Sequence, residues 1–238
     1  MPLSNKNIEL RDRLIFALDV PDIDTAKALV EQLGDSVNFF KIGLELNMAG
    51  HYFELLDWLV ARDKKVFVDL KFFDVPATVA SAVRNLSGRG VTFATVHGNQ
   101  GIMQAAGEAK GDVKILAVTV LTSLDRGDLD DLGFDVDVSK LVLSRARRSL
   151  EAGCDGVIAS GLELPALRAE VDDKLIVITP GIRPVENRED DDQKRVVTPE
   201  QAFQDGADYV VVGRPIRNAA DPQAAAEAIQ QSIAAVFS

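Results

Sequence analysis

Short runs of β-branched and aromatic residues recur along the chain, separated by stretches whose apolar positions repeat at i, i+3 and i+4. The runs fall at 14–20, 39–44, 66–72, 93–98, 114–121, 156–160, 175–181 and 209–216. Continuous apolar runs this short predict strands covered on both faces, and the longer periodic stretches predict amphipathic helices between them. The stretch 25–33 closes at Gly34 and 139–152 closes at Gly153, glycine being the residue that suits a helix end. Pro76 is placed to open a helix, where its missing backbone donor costs little. Strict β–α alternation repeated eight times predicts a parallel sheet closed into a (β/α)8 (TIM) barrel, an α/β fold occupying residues 1–238 as a single domain. The alanine-rich stretch 222–236 would cover the barrel after its eighth strand. An open doubly wound sheet is the alternative, and no Gly-x-Gly-x-x-Gly turn follows the first strand to favour it.

The pattern lapses over residues 182–197, a long charged segment between strand seven and a helix starting near Thr198-Pro199-Glu200. At the catalytic face of a barrel such a loop is either a lid or a solvated excursion, and its position favours a lid.

Composition narrows the function classes. With 238 residues, 47% hydrophobic, the chain can build one large core. A net charge of −11 argues against nucleic acid and anionic membranes as partners, while a phosphorylated small molecule needs only a local cluster of donors. Arg145, Arg147 and Arg148 share one predicted helix and read as a solvated face. One cysteine, Cys154, and two histidines, His51 and His97, leave no internal disulfide and no multi-histidine metal centre, and Cys154 reads as packing. No apolar run reaches the ~18 residues of a membrane span, and the first residues carry no apolar signal region, so a cytoplasmic location is expected.

Candidate chemistry comes from charges placed where the pattern demands apolar residues. Asp69 and Lys71 interrupt Val66-Phe67-Val68-Asp69-Leu70-Lys71-Phe72, and period-two alternation projects both from one face. Asp74 follows in the loop, making a carboxylate–ammonium–carboxylate cluster suited to stabilising charge or moving a proton. Barrel enzymes place their reactive groups at the C-terminal ends of strands. Those ends supply Asp19, Lys41, His97, Thr122-Ser123, Ser160, Pro180-Gly181 with Arg183, and Gly213-Arg214. Strands seven and eight form the usual phosphate corner, where backbone donors at Gly213 and the guanidinium forks of Arg183 and Arg214 suit a dianion. Plainer roles stand beside these. Asp69–Lys71 alone could be a barrel-stabilising pair, Asp19 could cap the first helix, Thr122 and Ser123 could be turn residues. His97 reads as a structural hydrogen-bonding residue, Gly213 could serve packing, and Arg183 could lie on the surface.

Taken together, Asp69-Leu-Lys71-Phe-Phe-Asp74-Val-Pro-Ala-Thr78 resembles the signature of the orotidine 5′-phosphate decarboxylase family of bacterial type. Leu-Asp19-Val, Phe-Lys41-Ile-Gly, Val-Leu-Thr122-Ser123, Thr-Pro-Gly-Ile-Arg183-Pro, Asp-Gln193 and Val-Gly213-Arg214-Pro-Ile follow in the family's order. Phe73 and Ala77 stand where many bacterial relatives have His and Asn, and Glu189-Asp190-Asp191-Asp192 precedes Gln193. The resemblance implies decarboxylation of orotidine 5′-phosphate to uridine 5′-phosphate, the last step of de novo pyrimidine synthesis, without metal or organic cofactor. It implies Lys71 as proton donor at C6, Asp69 against the departing carboxylate, and Lys41 holding the Asp–Lys chain. Asp19 and Lys41 would meet ribose hydroxyls, and Thr122-Ser123 the pyrimidine edge. Arg183, Gln193, Gly213 and Arg214 would take the phosphate, with the loop at about 182–197 closing over it. Asp74 and Thr78 would complete a partner's site in a homodimer. The rival readings are a magnesium-dependent sugar-phosphate aldolase or decarboxylase of the same superfamily, and a non-catalytic phosphate-ligand-binding barrel.

Overall fold

The computed structural model describes residues 3–133, 135–184 and 196–238. In chain order the elements are β1 (Leu14–Ala17), α1 (Ile23–Leu33), β2 (Phe39–Gly43), α2 (Leu44–Met48), α3 (Tyr52–Val60), β3 (Lys65–Phe72) and α4 (Pro76–Arg84). They continue with β4 (Val91–His97), α5 (Gln100–Ala109), β5 (Lys114–Val118), α6 (Arg126–Asp131), α7 (Val138–Glu151), β6 (Gly156–Ile158) and α8 (Leu164–Glu170). The remainder are β7 (Ile176–Thr179), α9 (Pro199–Gln204), β8 (Tyr209–Val212), α10 (Arg214–Arg217) and α11 (Pro222–Phe237). The eight strands pair in parallel in sequence order, and β8 returns to β1 to close the barrel. The fold is therefore a (β/α)8 barrel.

Side-chain alternation divides its apolar residues into two cores. Outward positions such as Phe16, Phe40, Val66, Val68, Ala94, Val177 and Val210 pack beneath the helices. Inward positions Ile15, Phe39, Phe67, Phe93, Leu116, Ile178 and Tyr209 fill the interior. There Phe39 stacks on Phe93 at 5.3 Å between centroids, and Tyr209 meets Phe93 edge-on at 5.2 Å. Large rings at these positions make the lower barrel solid and leave the upper end of the barrel for a ligand.

Helix entries follow local chemistry. Asp22, Asp137, Thr198 and Asp221 accept backbone N–H bonds at the starts of α1, α7, α9 and α11, and Pro76 opens α4 as its sequence position implied. Gly34 (φ 53°) and Gly153 (φ 82°) close α1 and α7 in the left-handed region. Several strands stop earlier than the apolar runs suggested. The run 209–216 ends as a strand at Val212, after which Gly213 opens the short α10. The runs 14–20, 114–121 and 156–160 likewise yield strands only to Ala17, Val118 and Ile158. Apolar character persists past the last ladder bond because the barrel rim is still buried, and burial alone does not make a strand.

The opposite face is locked by a polar network. The Asp208 carboxylate, fully buried, accepts from Arg168 (2.8 Å), Lys6 (3.0 Å) and the Val177 backbone (2.9 Å), and also from the Ser4 hydroxyl. Arg13 reaches the Asp208 carbonyl at 3.1 Å. The network ties the N-terminal segment and α8 to the base of β7 and β8. No helix among the described residues is long and apolar enough to cross a membrane.

Candidate active site

Toward the C-terminal end of the barrel the inward positions turn polar. On β2 Phe39 is followed by Lys41, on β3 Phe67 by Asp69 and Lys71, and on β4 Phe93 by Thr95. Above the aromatic layer lies a cavity of about 480 Å3, lined among others by Asp19, Lys41, Asp69, Lys71, Thr122, Ser123, Arg183, Gly213, Arg214 and Arg217. Among the described residues five of these side chains are cationic and two carboxylates, opposite in sign to a chain carrying −11 overall. A low-dielectric recess of one sign concentrates ligands of the other.

One wall is a row of alternating charges. The Lys41 ammonium lies 3.1 Å from Asp19 Oδ1 and 3.4 Å from Asp69 Oδ2, and Lys71 Nζ lies 2.9 Å from the same Asp69 oxygen. Asp69 Oδ1 is taken by the Thr95 hydroxyl at 2.8 Å. Burial opposes charge on Asp69, but Lys41, Lys71 and the hydrogen bonds from Lys71 and Thr95 outweigh it and hold the carboxyl below its ordinary range. Burial likewise opposes the Lys41 ammonium, and Asp69 and Asp19 more than compensate, raising its pKa. Both groups are therefore ionised across neutral pH, which makes the row a fixed electrostatic element.

The end of β3 is irregular in a way that serves this row. Val68 pairs with Ala94 and Phe72 with Val96, so β3 spends four steps where β4 spends two. Lys71 sits within this bulge at φ 47°, a left-handed conformation uncommon for a residue with a side chain. Its backbone N–H is received by Thr95 Oγ1 at 2.9 Å. The bulge keeps Asp69 and Lys71 together at the mouth.

The facing wall comes from β5, β7 and β8. Thr122 and Ser123 follow β5 and line the cavity. Arg183 is 7% exposed and bonds the Ile182 carbonyl at 2.8 Å, so it is an interior residue, not a surface one. The ends of the 182–197 segment are joined, Ile182 bridging Val197 and Arg183 N–H bonding the Val197 carbonyl at 3.0 Å. A Cβ at Gly213 would touch Ala17 Cβ at 3.4 Å, ordinary contact, so neighbouring side chains are not what excludes a larger residue. Arg217 donates to the Asp19 carbonyl, tying α10 to the loop after β1.

Comparison with known proteins decides among the families that share this architecture. Residues 12–229 match the model of the orotidine 5′-phosphate decarboxylase / HUMPS family. A protein of Methylococcus capsulatus named orotidine 5′-phosphate decarboxylase is 68% identical over 235 residues, spanning 99% of this chain and 97% of its own. One of Xanthomonas euvesicatoria with the same name is 55% identical over 228 residues, 95% and 93% of the two chains. The chain belongs to the orotidine 5′-phosphate decarboxylase family. Among solved structures, the orotidine 5′-phosphate decarboxylase of Lactobacillus acidophilus superposes with a TM-score of 0.82 at 34% identity, covering 93% of this chain and 99% of that one.

In this member of the decarboxylase family the cavity gathers Asp19, Lys41, Asp69, Lys71, Thr122, Ser123, Arg183, Gly213 and Arg214. It does not gather Asp74 and Thr78. Both are exposed and outside the cavity wall, and Asp74 makes no ion pair with any described residue. Within the single chain Asp74 is exposed beyond the end of β3 at Phe72, while Lys41 and Asp19 join Asp69–Lys71 in the row. Gln193 and the rest of 185–195 lie outside the described residues. The cap of α1 is Asp22, with Oδ1 2.7 Å from the Thr25 N–H, which leaves Asp19 to the cavity.

His97 bonds Asn99 at 3.3 Å and packs against Phe73 at 4.4 Å, outside the cavity wall; burial, more than the nearby Arg145 and Lys71, lowers its pKa. Cys154 is buried, its thiol pushed up to about 12 by desolvation, as packing requires. Ser160 bonds Glu163 and the Leu162 N–H, a turn role. The solvated face assigned to Arg145 is also corrected: its guanidinium is partly buried and donates to the Thr119 carbonyl, its side chain passing over Gly98, where a Cβ would meet it. Sequence reading missed Thr95 and Arg217. Thr95 carried the same signal as Asp69, a polar residue inside an apolar strand; Arg217 lies only three positions beyond Arg214.

Proposed function

We propose that this chain converts orotidine 5′-phosphate to uridine 5′-phosphate and carbon dioxide, with Lys71 as proton donor and the Asp19–Lys41–Asp69–Lys71 row as the catalytic wall. The activity accords with the family and with the names of its curated relatives. The observation that carries the residue roles is the row itself. Two ammonium groups share one carboxylate oxygen at 2.9 and 3.4 Å beside a cationic cavity.

The chemistry follows from that geometry. When the C6–carboxylate bond breaks, its electron pair stays at C6, carbon dioxide departs, and an ammonium proton from Lys71 goes to C6. The pair at C6 lies in the ring plane, outside the π system, so stabilisation must come from an external charge. Lys71 supplies it in position before reaction, held by Asp69, which is in turn held by Lys41 and Thr95; this is electrostatic preorganisation. In this reading Asp19 and Lys41 meet ribose hydroxyls, and Thr122-Ser123 read the pyrimidine edge, all four lining the cavity. In the same reading Arg183, Gly213 and Arg214, which also line it, take the phosphate. Binding energy from the remote phosphate can then be used at the ring.

The working unit in this proposal is a cytoplasmic homodimer in which Asp74 and Thr78 complete the partner's site. Support comes from the surface around them: Leu44, Met48, Phe73 and Val75, which follow the adjacent strands β2 and β3, are exposed, Met48 at 81% and Phe73 at 67%. Exposed apolar side chains on either side of Asp74, Phe73 and Val75, suit an interface.

The test is to mix purified protein with orotidine 5′-phosphate and excess chelator. Loss of orotate-ring absorbance with formation of uridine 5′-phosphate is expected. Absence of turnover by folded protein would overturn the reading and direct attention to sugar phosphates with magnesium. Sedimentation of the same sample checks the dimer.

A further inference from the structure

The bulge that presents Asp69 and Lys71 is fastened to the next strand by the Thr95 hydroxyl. We propose that Thr95 is a positioning residue for decarboxylation, fixing the Asp69 carboxylate and the Lys71 backbone relative to one another. The proposal rests on the activity and the Lys71 role given above.

Thr95 is fully buried on β4, directly across from the bulge. Its Oγ1 lies 2.8 Å from Asp69 Oδ1 and 2.9 Å from the Lys71 backbone nitrogen. The roles in this pair of bonds are forced. A backbone N–H can only donate and an ionised carboxylate can only accept, so the hydroxyl spends its one proton on Asp69 and a lone pair on Lys71.

Each bond does something the rest of the site does not. Both lysines approach Asp69 through Oδ2, at 2.9 and 3.4 Å, which alone leaves the carboxylate free to swing about its Cβ–Cγ bond. Thr95 anchors the other oxygen and keeps Oδ2 turned to both ammonium groups. The two-residue excess of β3 between Val68 and Phe72 takes the Lys71 N–H out of the regular ladder, and the Thr95 hydroxyl replaces the lost carbonyl acceptor. That bond also holds Lys71 at φ 47°, where the backbone is disfavoured for a residue with a side chain. Thr95 is absent from the cavity lining, so it acts through Asp69 and Lys71 and not by contact with substrate.

The test compares Thr95→Val, which keeps the shape and removes the hydroxyl, with Thr95→Ser, which keeps the hydroxyl. Steady-state decarboxylation is measured beside calorimetric binding of uridine 5′-phosphate and thermal unfolding. For Thr95→Val, kcat is expected to fall about 10²-fold, the scale of an ångström's misplacement, with nucleotide affinity within about threefold of the parent. Thr95→Ser is expected to keep kcat within about fivefold of the parent. Unchanged kcat in folded Thr95→Val overturns the proposal, as does an equal loss of kcat and nucleotide affinity, or failure of Thr95→Ser to retain activity. If Thr95→Val does not fold, the Thr95→Ala and Thr95→Ser pair carries the same comparison. Failure of the parent chain to decarboxylate would instead sink the functional reading beneath it.

Discussion

Replacing Lys71 with alanine separates the charged wall from the rest of the site. In the folded chain Lys71 Nζ is 2.9 Å from Asp69 and about a third exposed, so it can face a ligand and still be held. At about 4 Å from a developing charge, with an effective dielectric near 20, an ammonium contributes about 4 kcal/mol. That corresponds to about 10³-fold in rate. Loss of the positioned proton donor removes a further 10²–10⁴-fold, approximately. The combined expectation is a fall in kcat of at least about 10⁵-fold. The fold should barely notice. Asp69 keeps Lys41 at 3.4 Å and Thr95 at 2.8 Å, and loss of a partly exposed partner costs on the order of 1 kcal/mol or less. Alanine also tolerates φ 47° no worse than lysine does, so the bulge gains no new strain. The assay is single-turnover loss of orotate-ring absorbance with excess enzyme, beside calorimetric binding of uridine 5′-phosphate. Residual turnover within about 100-fold of the parent would refute Lys71 as proton donor. Equal loss of nucleotide affinity would instead mean that Lys71 serves ground-state binding.

Arg214→Ala should act on the other end of the substrate, raising KM by about 10–100-fold, the value of one charge-assisted phosphate contact, with a smaller change in kcat. A kcat loss without a KM change would contradict its placement. Arg168→Ala strips a partner 2.8 Å from the fully buried Asp208 at the opposite face of the barrel. Lys6 remains at 3.0 Å, so the expected loss, read by urea denaturation, is about 3 kcal/mol, with kcat unchanged. The Asp69 carboxyl has a folded pKa below its ordinary 3.8, so the unfolded chain binds the extra proton first as pH falls. Its stabilising contribution is present above 3.8 and is lost as pH drops through the folded value. Thermal unfolding of Asp69→Asn should lack that acid-side decline, and identical pH profiles would count against the ionised row.

Much of the barrel was legible because its signals are local. A β-branched run of a few residues, an acidic cap, or a glycine at a helix end acts over a few positions, and the eightfold alternation of such signals admits few topologies. Charges inside an apolar strand, Asp69 and Lys71 above all, also declare themselves locally, since burial of charge without purpose is costly. Strand ends were less legible, as at Gly213, because ladder bonding stops before burial does.

What the chain alone determined, then, is the order of strands and helices, the inward parity of Phe67, Asp69 and Lys71, and the motifs that mark the family. Tertiary structure decided which of the candidate charges meet. Asp19, Lys41 and Thr95 reach Asp69 or its neighbours across strand pairings that separate them widely in sequence, whereas Asp74, five positions from Asp69, lies exposed beyond the end of β3 and outside the cavity wall. Sequence distance bounds only how far apart two groups can be. Which groups touch depends on register, and here a two-residue excess in β3 against β4 sets it.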